Sequence, residues 1–265
     1  MGYDLHEKVV LITGASSGIG RACAVAFHDA GSRVVAVARR AEKLADLERE
    51  IGDDRIASTP IDITDADARQ AAIEFAYRRF GRIDVLINNA GWASFSTVRR
   101  MPADHLERMI ALNLVAPIAM TQAVLEPMIE RSSGQIVNIS SVVGNQTIPR
   151  MTVYSATKAA LSSFSTGLRM ELHGSGVDVI LVSPGSTATP FFETAGCVDV
   201  RAERVAHSQY TPQRVARAVV RSCRKRRAEV TLTLEGKAVT AIRRCSHRLA
   251  DAIMYSYAKK GMPSH

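Results

Sequence analysis

Short apolar runs rich in β-branched residues alternate along this chain with stretches whose apolar residues return every three to four positions. The runs at residues 8–12, 33–37, 55–60, 83–87, 135–139, 178–182 and 229–234 predict strands. Most are apolar at consecutive positions, the pattern of strands covered on both faces in a parallel sheet. The longer period predicts helices at 19–30, 42–50, 65–80, 103–130, 153–173 and 212–226. Thr64 followed by Asp67 reads as the cap of the third helix. Regular alternation of this kind implies an α/β protein, a single doubly wound parallel sheet of about seven strands with helices on both faces.

Past the seventh strand, Ala238, Ile242, Cys245, Leu249, Ile253 and Tyr257 recur at helical spacing, flanked by Arg243, Arg244, His247, Arg248 and Lys259. Residues 1–235 therefore form the main domain, and 236–265 extend it with a basic amphipathic helix. That helix is expected to pack on the body or on a second subunit. Peripheral contact with an anionic membrane through 237–260 is the sharper alternative.

Charge changes the picture only at the C-terminus. The 265 residues carry 34 basic and 26 acidic side chains. Residues 201–265 hold 15 of the basic and 4 of the acidic ones. The basic stretch lacks interleaved aromatic residues for base stacking, so nucleic acid is not expected as a partner. The four cysteines show neither metal spacing nor a disulfide framework, and no metal is expected. No apolar run is expected to span a bilayer, and Met1–His6 have no signal-peptide core; the expectation is a cytoplasmic protein.

The candidate chemistry lies where the predicted strands end. The first strand runs into Thr13-Gly14-Ala15-Ser16-Ser17-Gly18-Ile19-Gly20, and a helix follows. Glycines let the backbone approach a ligand, and the helix start offers free N–H groups to a pyrophosphate. Further on, Tyr154 and Lys158 stand one helical turn apart, so phenol and ammonium share one face. A cation there favours phenolate, and a nearby serine hydroxyl could bind the oxygen whose proton is exchanged. Ser140 and Ser141 are chemically equivalent candidates. This equipment suits interconversion of a carbonyl and an alcohol.

With Gly14-x-x-x-Gly18-x-Gly20, Asp62 after the third strand, Asn88-Asn89-Ala90-Gly91 after the fourth, Asn113, Ser141, Tyr154-x-x-x-Lys158 and Pro184-Gly185, residues 5–235 resemble the short-chain dehydrogenase/reductase family. The resemblance implies a Rossmann fold and a nicotinamide dinucleotide. Gly14, Ser16, Ser17, Gly18, Ile19 and Gly20 would hold the pyrophosphate, and Asp62 and Ile63 the adenine. Asn89, Ala90 and Gly91 would line the cleft, as would Pro184, Gly185, Thr187 and Thr189. Tyr154 is implied as general acid and base. Ser141, chosen over Ser140 by family spacing, would orient the substrate. Lys158 would lower the phenol pKa and bind ribose, and Asn113 would hold a relay water.

No acid ends the second strand. Arg39 and Arg40 follow it and would take a 2′-phosphate, so NADP is expected in preference to NAD. Ser17 departs from the Lys or Arg that many NADP-preferring relatives carry there. Residues 186–211 read as a mobile lid, with Phe191, Phe192 and Trp92 as an apolar wall for an apolar ketone or secondary alcohol. A homodimer is expected through the helices near 103–130 and 153–173. The competing reading is a catalytically silent nucleotide-binding regulator or scaffold on the same fold.

Overall fold

The computed structural model describes residues 2–198, 210–233, 242 and 246–261. Seven parallel strands form the main sheet: β1 (Val9–Thr13), β2 (Arg33–Ala38), β3 (Ile56–Pro60), β4 (Val85–Asn88), β6 (Gly134–Ile139), β7 (Val177–Ser183) and β9 (Glu229–Thr231). Their order is β3-β2-β1-β4-β6-β7-β9. Leu234, the last residue of the predicted seventh strand, lies outside the described residues. Two short strands, β5 (Ser94–Phe95) and β8 (Gly196–Cys197), pair separately. Two-residue strands carry no period, which is why the sequence reading passes over them.

The central strands are buried on both sides, while the edge strands β3 and β9 are partly exposed. Val10 and Ile12 of β1 join one apolar layer with Val34 and Ala36, while Val9 and Leu11 join the other with Val35 and Val37. Helices α1 (Gly18–Asp29), α2 (Ala41–Ile51) and α7 (Pro212–Arg224) pack on the first face through residues such as Phe27, Leu47 and Val219. Helices α3 (Ala66–Phe80), α5 (Ala116–Glu130) and α6 (Thr152–Glu171) cover the second through Ile73, Met120 and Leu168. The sheet is thus doubly wound. Its strand order reverses between β1 and β4, and the carboxyl ends there open the crevice in which such sheets bind ligands.

Three expectations are corrected. Asp65, not Thr64, caps α3: its carboxylate accepts the Ala68 amide at 2.8 Å. Thr64 is already engaged, donating its amide and hydroxyl to Asp62 Oδ1 at 3.0 and 2.8 Å. The helix predicted over 103–130 is not uniform: α4 (Ala103–Ile110) passes through a π turn at Ala111–Val115 into α5. That 28-residue run, Ala103–Glu130, is also long and apolar enough to cross a membrane by length and composition, contrary to the sequence reading. Its apolar character serves the core, since Ala116, Met120, Val124 and Met128 are fully buried against the sheet.

The C-terminal extension contains a helix, α8 (His247–Gly261). Of the predicted stripe, Ala238 and Cys245 lie outside the described residues, as do Arg243 and Arg244 and the side chains of His247, Tyr257 and Lys259. Ala250 is completely buried, while Leu249 and Tyr255 are exposed.

Candidate active site

The glycine turn is built by backbone contacts that exclude side chains. Gly14 has φ +69°, and a Cβ on it would lie 2.8 Å from Ala90 Cα. A Cβ on Gly20 would sit 2.3 Å from Gly14 O. Gly20 therefore supports the turn from behind, while Gly14, Ser16, Ser17, Gly18 and Ile19 line the cleft. Thr13 Oγ1 donates to Ile87 O at 3.2 Å and accepts the amides of Asn89 and Ala90 at 3.0 and 3.1 Å. The side-chain amide of Asn89 donates to Thr13 O at 2.9 Å. The carboxyl ends of β1 and β4 are thereby clamped together.

Helix α1 opens with Ser17 at its N-cap, and the hydroxyl makes no capping bond. Instead it accepts Arg40 Nη2 at 2.7 Å. Its first turn holds no acidic residue either. The free N–H groups and positive dipole end thus face the cleft without an internal partner of negative charge.

Arg40 also donates to Ser16 Oγ through Nη2 at 2.9 Å. It reaches across from the end of β2 and puts a guanidinium beside Ser17, where the sequence lacks a basic residue. Arg39 Nη1 lies 3.6 Å from Asp62 Oδ2 and stays largely exposed. Burial pushes the Asp62 carboxyl up, but the Thr64 amide and hydroxyl and the Arg39 charge outweigh it and hold the group below its ordinary value. A phosphate-bearing dinucleotide fits this donor set: a cradle that any Cβ would fill, an open helix start and two guanidinium groups. Ser186 Oγ, buried and without a partner among the described residues, adds a polar atom at the cleft.

Tyr154 and Lys158 lie on one face of α6, with Nζ 5.9 Å from the phenol ring centroid. Both side chains are buried. Lys158 Nζ donates to Ile139 O at 2.9 Å, and burial pushes its pKa down to about 8. Burial likewise pushes the Tyr154 phenol up, opposed by a hydrogen bond with the Ser141 side chain. The expected lowering by Lys158 is not part of this balance: the ammonium is turned to a carbonyl, and dryness dominates both groups. Ser141 heads a short 3-10 turn, Val142–Gly144, at the end of β6. Ser140 is spent elsewhere, donating to Lys158 O at 3.0 Å and bonding Ser162 Oγ. Geometry therefore agrees with the choice of Ser141.

Asn113 occupies the π turn and is fully buried. Its Oδ1 accepts the Trp92 amide at 2.9 Å, and its Nδ2 donates to Trp92 O at 2.8 Å and Thr157 Oγ1 at 3.1 Å. The side chain is thus committed to the protein and does not line the cleft. Gly91 lies between the two groups: a Cβ there would be 3.3 Å from Asn113 Oδ1 and 3.5 Å from Lys158 Nζ.

The other predicted positions converge. Ser16, Ser17, Gly18, Ile19, Ile63, Pro184, Gly185, Thr187 and Thr189 all line one cleft of about 760 Å³ together with Ser141, Tyr154 and Lys158. Thr189 Oγ1 accepts the Phe191 amide at 3.4 Å, and Thr187 Oγ1 donates to Gly185 O at 3.0 Å. Phe191 packs 5.7 Å from Tyr154 and 5.6 Å from Phe192. Trp92 Nε1 donates to Thr194 O at 2.8 Å, and β5 pairs with β8, so residues 186–198 of the expected lid are tied to the body. Residues 199–209 of that segment lie outside the described residues.

Several cleft residues escaped the sequence reading. Arg108 of α4 stacks its guanidinium 4.1 Å from the Trp92 ring, and Gln146, Ile148, Met151, Ile253 and Met254 also line the cavity. They come from α4, the loop before α6 and α8, and only folding brings them together. Pattern on a single helix could not have selected them.

Comparison with known proteins agrees with this geometry. A model described as short chain dehydrogenase matches residues 8–196. An uncharacterised oxidoreductase of Staphylococcus aureus strain USA300 is 35% identical over 216 residues, covering 82% of this chain and 90% of that protein. A short-chain dehydrogenase from Streptomyces avermitilis superposes with a TM-score of 0.83 at 33% identity, covering 92% of this chain and 94% of the other. A serine dehydrogenase complexed with NADP+ gives a TM-score of 0.78 at 34% identity, over 84% and 93% of the two chains. Agreement of sequence and fold over most of the chain, around a crevice fit for a dinucleotide, leads to one conclusion: the chain belongs to the short-chain dehydrogenase family of NAD(P)-dependent oxidoreductases.

Proposed function

We propose that the protein is an NADP-dependent enzyme that interconverts a carbonyl and a secondary alcohol on a largely apolar substrate, with Tyr154 as general acid and base. The observation that carries this reading is the meeting of Tyr154, Ser141 and Lys158 in the cleft that begins at the glycine turn. The bound dinucleotide supplies hydride to the carbonyl carbon, or receives it from the alcohol. Everything else is done by the chain. Ser141 and Tyr154 present hydroxyls to the substrate oxygen. In reduction the phenol gives its proton to that oxygen as the alcohol forms; in oxidation the phenolate takes it back. Because burial holds the proton on Tyr154, the resting group is an acid ready for reduction. Lys158, now donating to Ile139 O, would have to turn toward the phenolate left behind to stabilise it, and Asn113 would help to resupply the proton through water.

Arg40, joined only to the hydroxyls of Ser16 and Ser17, supports the preference for NADP: a 2′-phosphate would give this guanidinium an anion, with Arg39, already beside Asp62, close by. The intact hydroxyl–phenol–ammonium set favours turnover over a silent scaffold. A homodimer through α4, α5 and α6 belongs to the same proposal.

The test is Tyr154→Phe. Turnover with a ketone panel should fall at least a hundredfold, the order of a lost general acid. NADPH should still raise the melting temperature of the variant, and more than NADH does at equal concentration. Full activity in the variant, or equal stabilisation by the two cofactors, contradicts the corresponding half of the proposal.

A further inference from the structure

Helix α8 stands apart from the strand–helix alternation, yet Ile253 and Met254 line the same cleft as Ser141 and Tyr154. The helix is anchored there. Ala250 is completely buried, and Asp251 Oδ1 accepts Gln146 Nε2 at 3.3 Å. Gln146 itself is only 6% exposed and follows the short turn that Ser141 opens. Asp251 therefore ties α8 to the loop carrying the serine, and a carboxylate can take part in that tie only as acceptor.

Part of the remaining wall is apolar, with Arg108 and the Gln146 side chain as polar groups of the same cleft. Phe191 and Phe192 pack with Tyr154, Met151 and Ile148 in one cluster. Against this cluster a charged substituent would lose its hydration with little to replace it, whereas an alkyl or ring-bearing group would gain from leaving water.

We infer that α8 is a substrate-recognition element, and that Met254 and Ile253 receive an extended apolar substituent of the carbonyl substrate. Asp251 is a positioning residue that holds the helix against the Ser141 loop. The inference deepens, and rests on, the carbonyl–alcohol reading above.

A series of methyl ketones, from 2-butanone through 2-hexanone and 2-octanone to 2-decanone, tests it with the full-length protein and NADPH. For the wild type, kcat/KM should climb with chain length by up to about fourfold for each methylene buried. Met254→Ala should cut kcat/KM for 2-decanone by about tenfold and change that for 2-butanone by less than about twofold, with the NADPH-induced melting shift kept. Asp251→Ala, which leaves the wall side chains intact, should raise KM for the long ketones more than it lowers kcat. Equal losses across the series, no loss, or a wild type indifferent to chain length would overturn the role of α8 alone. A wild type stabilised by NADPH that reduces none of these ketones would instead bring down the underlying functional reading.

Discussion

Lys158 shows most plainly that one side chain can serve function against stability. Its pKa falls to about 8 because the ammonium is out of water, so the folded protein binds this proton less tightly than the unfolded chain. Between roughly pH 8 and the ordinary lysine value the unfolded state therefore carries more protons, and the site's contribution to stability rises with pH. At pH 7 the group is charged in both states, and the desolvation cost is present in full. Lys158→Met should thus stabilise the fold at pH 7 by about 1–2 kcal/mol, after allowing for the bond lost to Ile139 O. The same variant should lose most of its turnover. Chemical denaturation at pH 7 and pH 10 checks this: the advantage should shrink at the higher pH, and a variant less stable than wild type at pH 7 would contradict it. Ser140 and Ser141 divide in a related manner, one bonded to the α6 backbone and one to the Tyr154 phenol.

Among the elements, the first β–α unit forms the glycine turn and the α4–π–α5 run holds Asn113 behind Gly91. The turn depends on how closely backbone meets backbone. A methyl on Gly20 would come within 2.3 Å of Gly14 O and 2.5 Å of Asn89 Nδ2, so Gly20→Ala must displace the turn or its clamp. Gly20→Ala should weaken NADPH binding by at least about tenfold, read by titration of cofactor fluorescence; unchanged affinity would show that the turn yields without cost. The π turn has a comparable role. Asn113 uses its amide to hold both backbone groups of Trp92, which fixes the strand end carrying Gly91 beside Lys158. Wide helical turns of this kind are frequent at functional sites.

At the scale of the whole molecule, the reversal of strand order between β1 and β4 gathers the glycine turn, Asp62, Ser141 and the α6 pair on one rim. Ile110, Val115 and Met170 are exposed at 41%, 48% and 70%, on the α4–α5 run and on α6. Exposed apolar groups on these long helices suit the proposed association of two copies. Val115→Arg combined with Met170→Glu should convert a wild-type dimer to monomer in light scattering after gel filtration. A wild type that already elutes as a monomer would remove the proposal.

Much of this arrangement was legible in the chain itself. Strand and helix positions followed from period, because runs buried on both faces and stripes buried on one leave different patterns. The glycine turn and the Tyr154–Lys158 pair were equally visible, since local spacing alone puts their atoms together. What spacing cannot express is the company a side chain keeps across the fold. Only the tertiary structure committed Asn113 to Trp92, moved Gly20 behind the cradle, and turned Lys158 toward Ile139. It likewise brought Met254 to the cleft from over a hundred positions beyond the tyrosine's neighbour Met151, because distant segments meet through packing, which the order of residues encodes but local pattern does not display.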